Sequence, residues 1–217
     1  SVLSTSRYGK FEDEAYEIFD REYPLKTLGH LACEDRLLSQ SDNATWQGIT
    51  AIGVLKGDVD NLGSIFQKGI QPVTFAKMAA LSRQMNAFFA VHLPALCAEK
   101  FPNMYTVFAG GDDFFLIGPW HQTQKLAQRL AADFKRYVGE NPEVHFSAGI
   151  ILAKPNTPIR TLADMAEEAL EEAKQYGKTD KTAPTKNAVS CHQSICSWEE
   201  FAQLGQLETL LQNWREH

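Results

Sequence analysis

With 217 residues and 44% hydrophobic content, the chain has enough apolar material for one principal domain with a buried core, which excludes a disordered tail. Its formal net charge of −6 excludes a generally basic nucleic-acid surface, while leaving room for a local basic groove. No run approaches the ~20 apolar residues of a membrane helix, and residues 1–10 lack a signal-peptide core, so a cytoplasmic location without membrane contact is expected.

Residues 1–45 mix charges with Phe11, Tyr16, Phe19 and Tyr23, are interrupted by Pro24, and close on the polar stretch Ser39-Gln40-Ser41-Asp42-Asn43. They form no self-contained pattern and read as the end of something else, so the chain is expected to be a piece of a larger protein. Residues 48–55 are a continuous apolar run with β-branched members, which predicts a strand buried on both faces. That strand delivers Lys56-Gly57-Asp58-Val59-Asp60-Asn61-Leu62-Gly63 at its end. Between residues 73 and 100, Met78, Leu81, Met85, Phe88, Phe89 and His92 recur at spacings of three and four and predict one helix face, with Pro94 kinking or interrupting it.

Residues 105–118 place two apolar runs around Gly110-Gly111-Asp112-Asp113. Thr106, Val107 and Phe108 before the tetrad and Phe114, Phe115, Leu116 and Ile117 after it are strong strand formers, and the glycines tolerate the positive φ of a tight hairpin. Leu126, Ala127, Leu130, Phe134 and Tyr137 mark a second amphipathic helix that ends near Gly139 and Pro142. A strand follows over residues 144–152. A third helix is lined by Leu162, Met165, Ala166, Ala169 and Ala173, and its acidic outer face, Glu167, Glu168, Glu171 and Glu172, reads as solvated. Residues 177–187 form a polar loop carrying Lys178, Lys181 and Lys186 beyond Lys174. A short strand is expected over 187–190 and a helix over 198–214.

The order strand, helix, two-stranded hairpin, helix, strand, helix, short strand predicts an α+β fold. It is a ferredoxin-like antiparallel sheet of the polymerase and cyclase palm type, with helices packed on one face and flanking segments. The expected divisions are 1–45 as the end of a preceding domain or a linker, 46–190 as the palm, and 191–217 as the start of a C-terminal helical domain.

Adjacent aspartates at an apolar bend repel one another unless something positive neutralises them. An Asp-rich solvated turn is the plainer alternative, and the tetrad gains meaning only from a second carboxylate. A crossover in such a sheet brings the first strand beside the hairpin, so that Asp58 faces Asp112. Carboxylates from two strand ends make a hard oxygen site suited to Mg²⁺ or Mn²⁺, with phosphates and water completing the shell. Two such ions ~4 Å apart would activate a hydroxyl and stabilise a leaving pyrophosphate, which is nucleotidyl transfer on a nucleoside triphosphate. The Val59 carbonyl joins the candidate metal ligands Asp58, Asp112 and Asp113. Amides of Asn61, Leu62 and Gly63, with Gly110 and Gly111, are candidate phosphate contacts, and Lys174 and Lys186 candidate neutralising charges.

The sequence carries no Gly-x-x-x-x-Gly-Lys-Ser/Thr loop, no Gly-x-Gly-x-x-Gly and no His-Asp doublet, which removes P-loop, Rossmann and that class of metal phosphohydrolase readings. The four cysteines, Cys33, Cys97, Cys191 and Cys196, show neither a Cys-x-x-Cys pair nor a disulfide-like spacing and are expected to be reduced. A metal contact by Cys191, His192 and Cys196 is the minor alternative. Asn43-Ala44-Thr45 matches a glycosylation acceptor by chance in a chain without a secretory signal.

Taken together, Gly57-Asp58-Val59-Asp60-Asn61-Leu62-Gly63, residues 109–120, Phe146-Ser147-Ala148-Gly149-Ile150, residues 166–174 and Lys186-Asn187 resemble the large subunit of type III CRISPR effector complexes, especially the III-A branch. The resemblance covers roughly residues 45 to 200 and falls on the second palm domain of that family, which is related to the GGDEF cyclases. It implies ATP as substrate, cyclic oligoadenylates as products when target RNA is bound, and Asp58, Asp112 and Asp113 at metal-binding and catalytic positions. It also implies a preceding first palm that completes a two-ATP site, an HD nuclease domain and a zinc-binding region further upstream, other effector subunits, and guide RNA and target RNA as partners. The isolated segment is expected to be silent without its partner palm. A diguanylate cyclase is the rival enzyme. Leu62-Gly63 and Phe66-Gln67 depart from that family's Phe-Lys and Asn-Asp pattern, Asp113 replaces its Glu, and Phe101-Pro102-Asn103-Met104 stands where its Arg-x-x-Asp would be. A palm reduced to a scaffold is the rival of another class.

Overall fold

The computed structural model describes residues 7–9, 11, 26–38, 45–69, 71–177 and 186–216. The expectations for Tyr16, Phe19, Tyr23, Pro24, residues 39–43, the Asn43-Ala44 part of the glycosylation match, and Lys178 and Lys181 lie outside the described residues. The helix α1 (Leu28–Cys33) is capped by Thr27, whose side chain accepts from the His30 N–H. The strands β1 (Leu37–Leu38) and β2 (Trp46–Gln47) pair with each other apart from the main sheet.

Six strands build the main sheet in the order β4-β5-β3-β6-β7-β8: β3 (Ile52–Val59), β4 (Tyr105–Gly110), β5 (Asp113–Pro119), β6 (Phe146–Ala153), β7 (Ala188–Cys191) and β8 (Ser194–Ser197). The first four in this order, with their helical crossovers, are the expected ferredoxin-like palm. β6 and β7 pair in parallel, and every other neighbouring pair in the sheet is antiparallel. β8 carries little strand signal, because Ser194-Ile195-Cys196-Ser197 is only four residues long and half of it is serine. It is held by register with β7, which carries the sheet past residue 190 to Ser197.

β3 lies later than the expected 48–55. Gly57 and Asp58 are paired on both sides, to Phe114 and Asp113 of β5 and to Ala148 and Ser147 of β6, so ladder bonds draw the motif into the strand. Gly57 is required there because a Cβ would come 2.3 Å from the Phe114 ring.

Between β3 and β4 run α2 (Leu62–Ser64), a π-helical turn over Ile65–Gly69, α3 (Phe75–Ala87), a second π-helical turn over Phe88–His92, and α4 (Leu93–Lys100). Pro94 sits at the start of α4, directly after the second π-helical turn, so the helix pattern is interrupted beside it, as expected. α5 (Trp120–Tyr137) starts earlier than the apolar pattern from Leu126 suggested. It is followed by α6 (Ile159–Ala173) between β6 and β7, and by α7 (Trp198–Glu216).

One sheet face carries α3, α4, α5 and the start of α7 over a core of Phe88, Phe89, Phe114, Phe134 and Phe146, all fully buried. Phe89 stacks on Phe114 at 5.2 Å and on Phe134 at 5.6 Å between ring centroids. The opposite face is covered by α6 and α1, through Leu162, Ala166, Leu31 and Ala32 against Ile52, Val54, Phe115 and Ile117. The two crossover segments of the ferredoxin-like unit share one face, but the expectation that the helices all pack on one face is corrected by α6, which with α1 covers the other because its apolar stripe meets Ile52, Val54 and Phe115. Among the described residues, no helix is long and apolar enough to cross a membrane.

Candidate functional site

Period-two alternation along β3 sends Leu55 and Val59 into the aromatic core and Lys56 and Asp58 to the α6 face. Asp58 is directly opposite Asp113 in the antiparallel register, one residue beyond Asp112 in the hairpin turn. The Val59 N–H donates to the Asp112 carbonyl at 3.0 Å, tying the two strand ends together at the backbone. The structure thus brings Asp58, Val59, Asp112 and Asp113 to one end of the sheet.

Electrostatics mark this end as overloaded with negative charge. Burial pushes the Asp58 carboxyl above the usual carboxylate range; Lys174 works against that rise, and Asp112 and Asp60 add to it. Asp113 is pushed up in the same direction, first by burial, then by Asp112 and Asp58. Among the described residues no ready-made group of three His, Cys, Asp or Glu side chains is spaced to grip an ion. Mg²⁺ does not need one, since it is usually bound through one or two carboxylates plus phosphate and water. The oxygen donors and their mutual repulsion fit a hard divalent cation.

Cation binding should follow these raised pKa values. A carboxyl must be ionised to ligate, so Mn²⁺ affinity is expected to be full well above the raised pKa and lost as pH falls through it, at a higher pH than for an ordinary surface aspartate. Stability without a cation runs the other way. The folded state favours the protonated forms, so their contribution is present at low pH and is lost as pH rises through the raised pKa. Mn²⁺ titrations and thermal melts across a pH series check both signs.

Lys174, just past the end of α6, places its Nζ 2.8 Å from Asp58 Oδ2 and 3.4 Å from Glu171 Oε1. Burial would lower its pKa, but Asp58 and Glu171 outweigh burial and keep the ammonium charged. Lys174 is therefore part of the site through Asp58. The acidic outer face of α6 is exposed, as expected, and three of its carboxylates also take partners: Glu167 pairs with Lys56, Glu171 with Lys174, and Glu172 accepts from Ser190 Oγ at 3.0 Å.

Asn61 adopts the left-handed conformation, φ 54°, and opens α2. Its carbonyl accepts from the Ser64 and Ile65 amides. The amides of Leu62 and Gly63 lie in this first helical turn, where N–H groups have no intrahelical partner. Lys186 Nζ donates to Asn61 Oδ1 at 2.9 Å, which brings the distant lysine to the same edge. A Cβ built on Gly63 or Gly111 would meet no atom within 4 Å, so open space lies beside both the phosphate-contact candidates and the hairpin turn. Gly111 also needs its glycine for φ, which is 66°.

Two contributors lie outside the candidate residues, Asn86 without any readable signal and Asp60 within the motif that follows β3. Asn86 on α3 accepts from the Gly111 N–H through Oδ1 at 2.9 Å, and nothing in a polar residue on a helix pattern announces that contact. Asp60, only 1% exposed, accepts from Ser147 Oγ and the Asn187 N–H and bonds His145 Nδ1. The cysteine alternative finds no support. Cys191 and Cys196 are free, and among the described residues no group of three His, Cys, Asp or Glu side chains is spaced to hold a metal ion; burial first and then Cys196 push the Cys191 thiol up to about 12.

A model of the family described as Cas10/Cmr2, second palm domain, matches residues 51–183. The chain is 37% identical over 169 residues to the CRISPR system single-strand-specific deoxyribonuclease Cas10/Csm1 (subtype III-A) of Methanocaldococcus jannaschii, covering 70% of this chain and 21% of the relative. It thus spans about one fifth of the length of that relative. Among solved structures, a chain of the Csm1–Csm4 cassette in complex with one ATP aligns at TM-score 0.67 and 26% identity over 86% of this chain and 27% of that one. The same cassette in complex with cA3 aligns at TM-score 0.61 and 25% identity over 79% of this chain and 28% of that one. The chain belongs to the Cas10/Cmr2 second palm domain family.

Proposed function

We propose that this palm binds ATP at the Asp58–Asp112–Asp113 end of its sheet and presents it for 3′–5′ nucleotidyl transfer that yields cyclic oligoadenylates. In this reading it works within a type III CRISPR effector complex, beside a first palm of the same subunit and other effector subunits, when target RNA pairs with guide RNA. The observation that carries the proposal is the direct register of Asp58 with Asp113 beside Asp112, on a chain whose structural neighbours include a cassette with one ATP.

Mg²⁺ or Mn²⁺ would be held by Asp58, Asp112 and Asp113, with the Val59 carbonyl beside them, and when bound supplies Lewis-acid charge to phosphate oxygens. The chain's own residues supply placement. Amides at Asn61, Leu62 and Gly63 and the Gly110-Gly111 turn lie where phosphate oxygens can be held. Lys174 keeps Asp58 from repelling the triphosphate, and Lys186 adds positive charge at the Asn61 edge. In the reaction, a 3′-hydroxyl oxygen of one ATP bonds to the α-phosphorus of another. The bond to the β-phosphate bridging oxygen breaks, pyrophosphate leaves, and the hydroxyl proton is lost; ring closure repeats the step. ATP and GTP titrations with Mn²⁺ test the reading, and ATP should bind more tightly.

A further inference from the structure

The second aspartate of Gly57-Asp58-Val59-Asp60 is absorbed by neither the proposed metal set nor the phosphate contacts. Its backbone N–H donates to the His145 carbonyl at 2.8 Å, which anchors the end of β3 to the start of β6. Its Oδ2 accepts from Ser147 Oγ at 2.9 Å and from the Asn187 N–H at 3.0 Å, and lies 2.7 Å from His145 Nδ1. Its Oδ1 is buried without a hydrogen-bond partner among the described residues. A carboxylate with only 1% exposure is expensive to bury, and here it is held from two separate segments, the start of β6 and the turn before β7.

One of those segments is conformationally demanding. Lys186 and Asn187 both have positive φ, 65° and 53°, a region that non-glycine residues enter only when their surroundings hold them there. The Asn187 N–H reaches Asp60, and the Ala188 N–H reaches Ser147 Oγ at 3.5 Å, the hydroxyl that itself donates to Asp60. Directly before this pair, Lys186 extends to Asn61, the residue next to Asp60 in the chain.

We propose that Asp60 is a positioning residue: its buried carboxylate pins the left-handed Lys186-Asn187 turn and so places the Lys186 ammonium at the nucleotide edge, without binding the metal itself. The role given to that lysine rests on the nucleotidyl-transfer reading; the hold on the turn does not. Asp60→Asn is the sharpest variant, because the amide oxygen can keep the Oδ2 contacts while the charge is lost and an NH₂ replaces the partnerless Oδ1.

The experiment uses the intact protein in its native assembly, with three readouts: amide hydrogen exchange at residues 187–188, affinity for the ATP analogue AMPPNP with Mn²⁺, and affinity for Mn²⁺ alone. Asp60→Asn is expected to speed exchange at 187–188 about tenfold, to weaken AMPPNP about tenfold, and to change Mn²⁺ affinity by no more than about threefold, since it removes a neighbouring charge and no ligand. Lys186→Gln should weaken AMPPNP by a similar factor with exchange unchanged, and the double variant should be no weaker than either single one, because both act through one lysine. Asp60→Ala, which keeps no acceptor, should be worse than Asp60→Asn in exchange and in affinity. Unchanged exchange in Asp60→Asn, losses that multiply in the double variant, or loss of Mn²⁺ binding would each overturn the proposal, the last by making Asp60 a metal ligand. Should Asp60→Asn fail to fold, Ser147→Ala removes one donor and is judged by the same exchange readout. If the unaltered protein binds no AMPPNP, the nucleotide reading fails while exchange at 187–188 still decides the hold on the turn.

Discussion

Replacing Asp112 and Asp113 together by Ala is expected to lower adenylate synthesis by the assembled protein by about three orders of magnitude or more, because cation-held charge contributes several kcal/mol to such transition states. The same change should leave the melting temperature level or slightly higher. Asp113 has its carboxyl pushed above its usual range by burial and by its acidic neighbours, so the fold is relieved when the charge goes. The backbone contacts that shape the hairpin end, the Val59 N–H to the Asp112 carbonyl and the Gly110–Asp113 pairing, survive truncation of the side chains. Product chromatography beside a thermal melt separates the two effects. Synthesis retained in the double variant would remove these aspartates from the chemistry.

Gly149→Ala is expected to destabilise the fold by about 2–3 kcal/mol, read as a lower urea midpoint at unchanged slope. Gly149 lies on β6 beneath α6, and a Cβ there would come 2.5 Å from the Leu170 N and 2.8 Å from the Ala166 carbonyl oxygen. Those atoms are helix backbone and cannot rotate away. Relief requires α6 to lift from the sheet, which would also carry Lys174 away from Asp58. Gly63→Ala is the contrast: its Cβ meets nothing, its φ is not positive, and its stability should be level or higher. A Gly149→Ala midpoint equal to that of the parent would mean that α6 sits on the sheet more loosely than the structure shows.

The palm was legible because its signals are periodic and local. Strand-forming runs around Gly110-Gly111-Asp112-Asp113 gave β4 and β5, and three-and-four spacing gave α3, α5 and α6. Element ends were less legible, since β3 is extended to Val59 by ladder bonds on both sides and α5 starts at Trp120, ahead of its apolar stripe. β8 had almost no signal of its own and depends on β7 for its place. At the site, the aspartates declared themselves through adjacency and motif order. The Asn86 contact to Gly111 and the Asp60 contacts to Ser147 and Asn187 join residues 25, 87 and 127 positions apart. No local pattern encodes such pairings, because they follow from the crossover topology.

On the proposed reading, the carboxylate end of this sheet is an ATP site that depends on a divalent cation. This reading is tested most directly by calorimetric titration of ATP and, separately, GTP into the intact protein with Mn²⁺, repeated on the Asp112→Ala/Asp113→Ala variant. Cation-dependent binding that favours ATP and disappears in the variant is expected. Preference for GTP would contradict it in favour of a diguanylate-type site, and absence of binding by either nucleotide would leave a palm that serves as a scaffold.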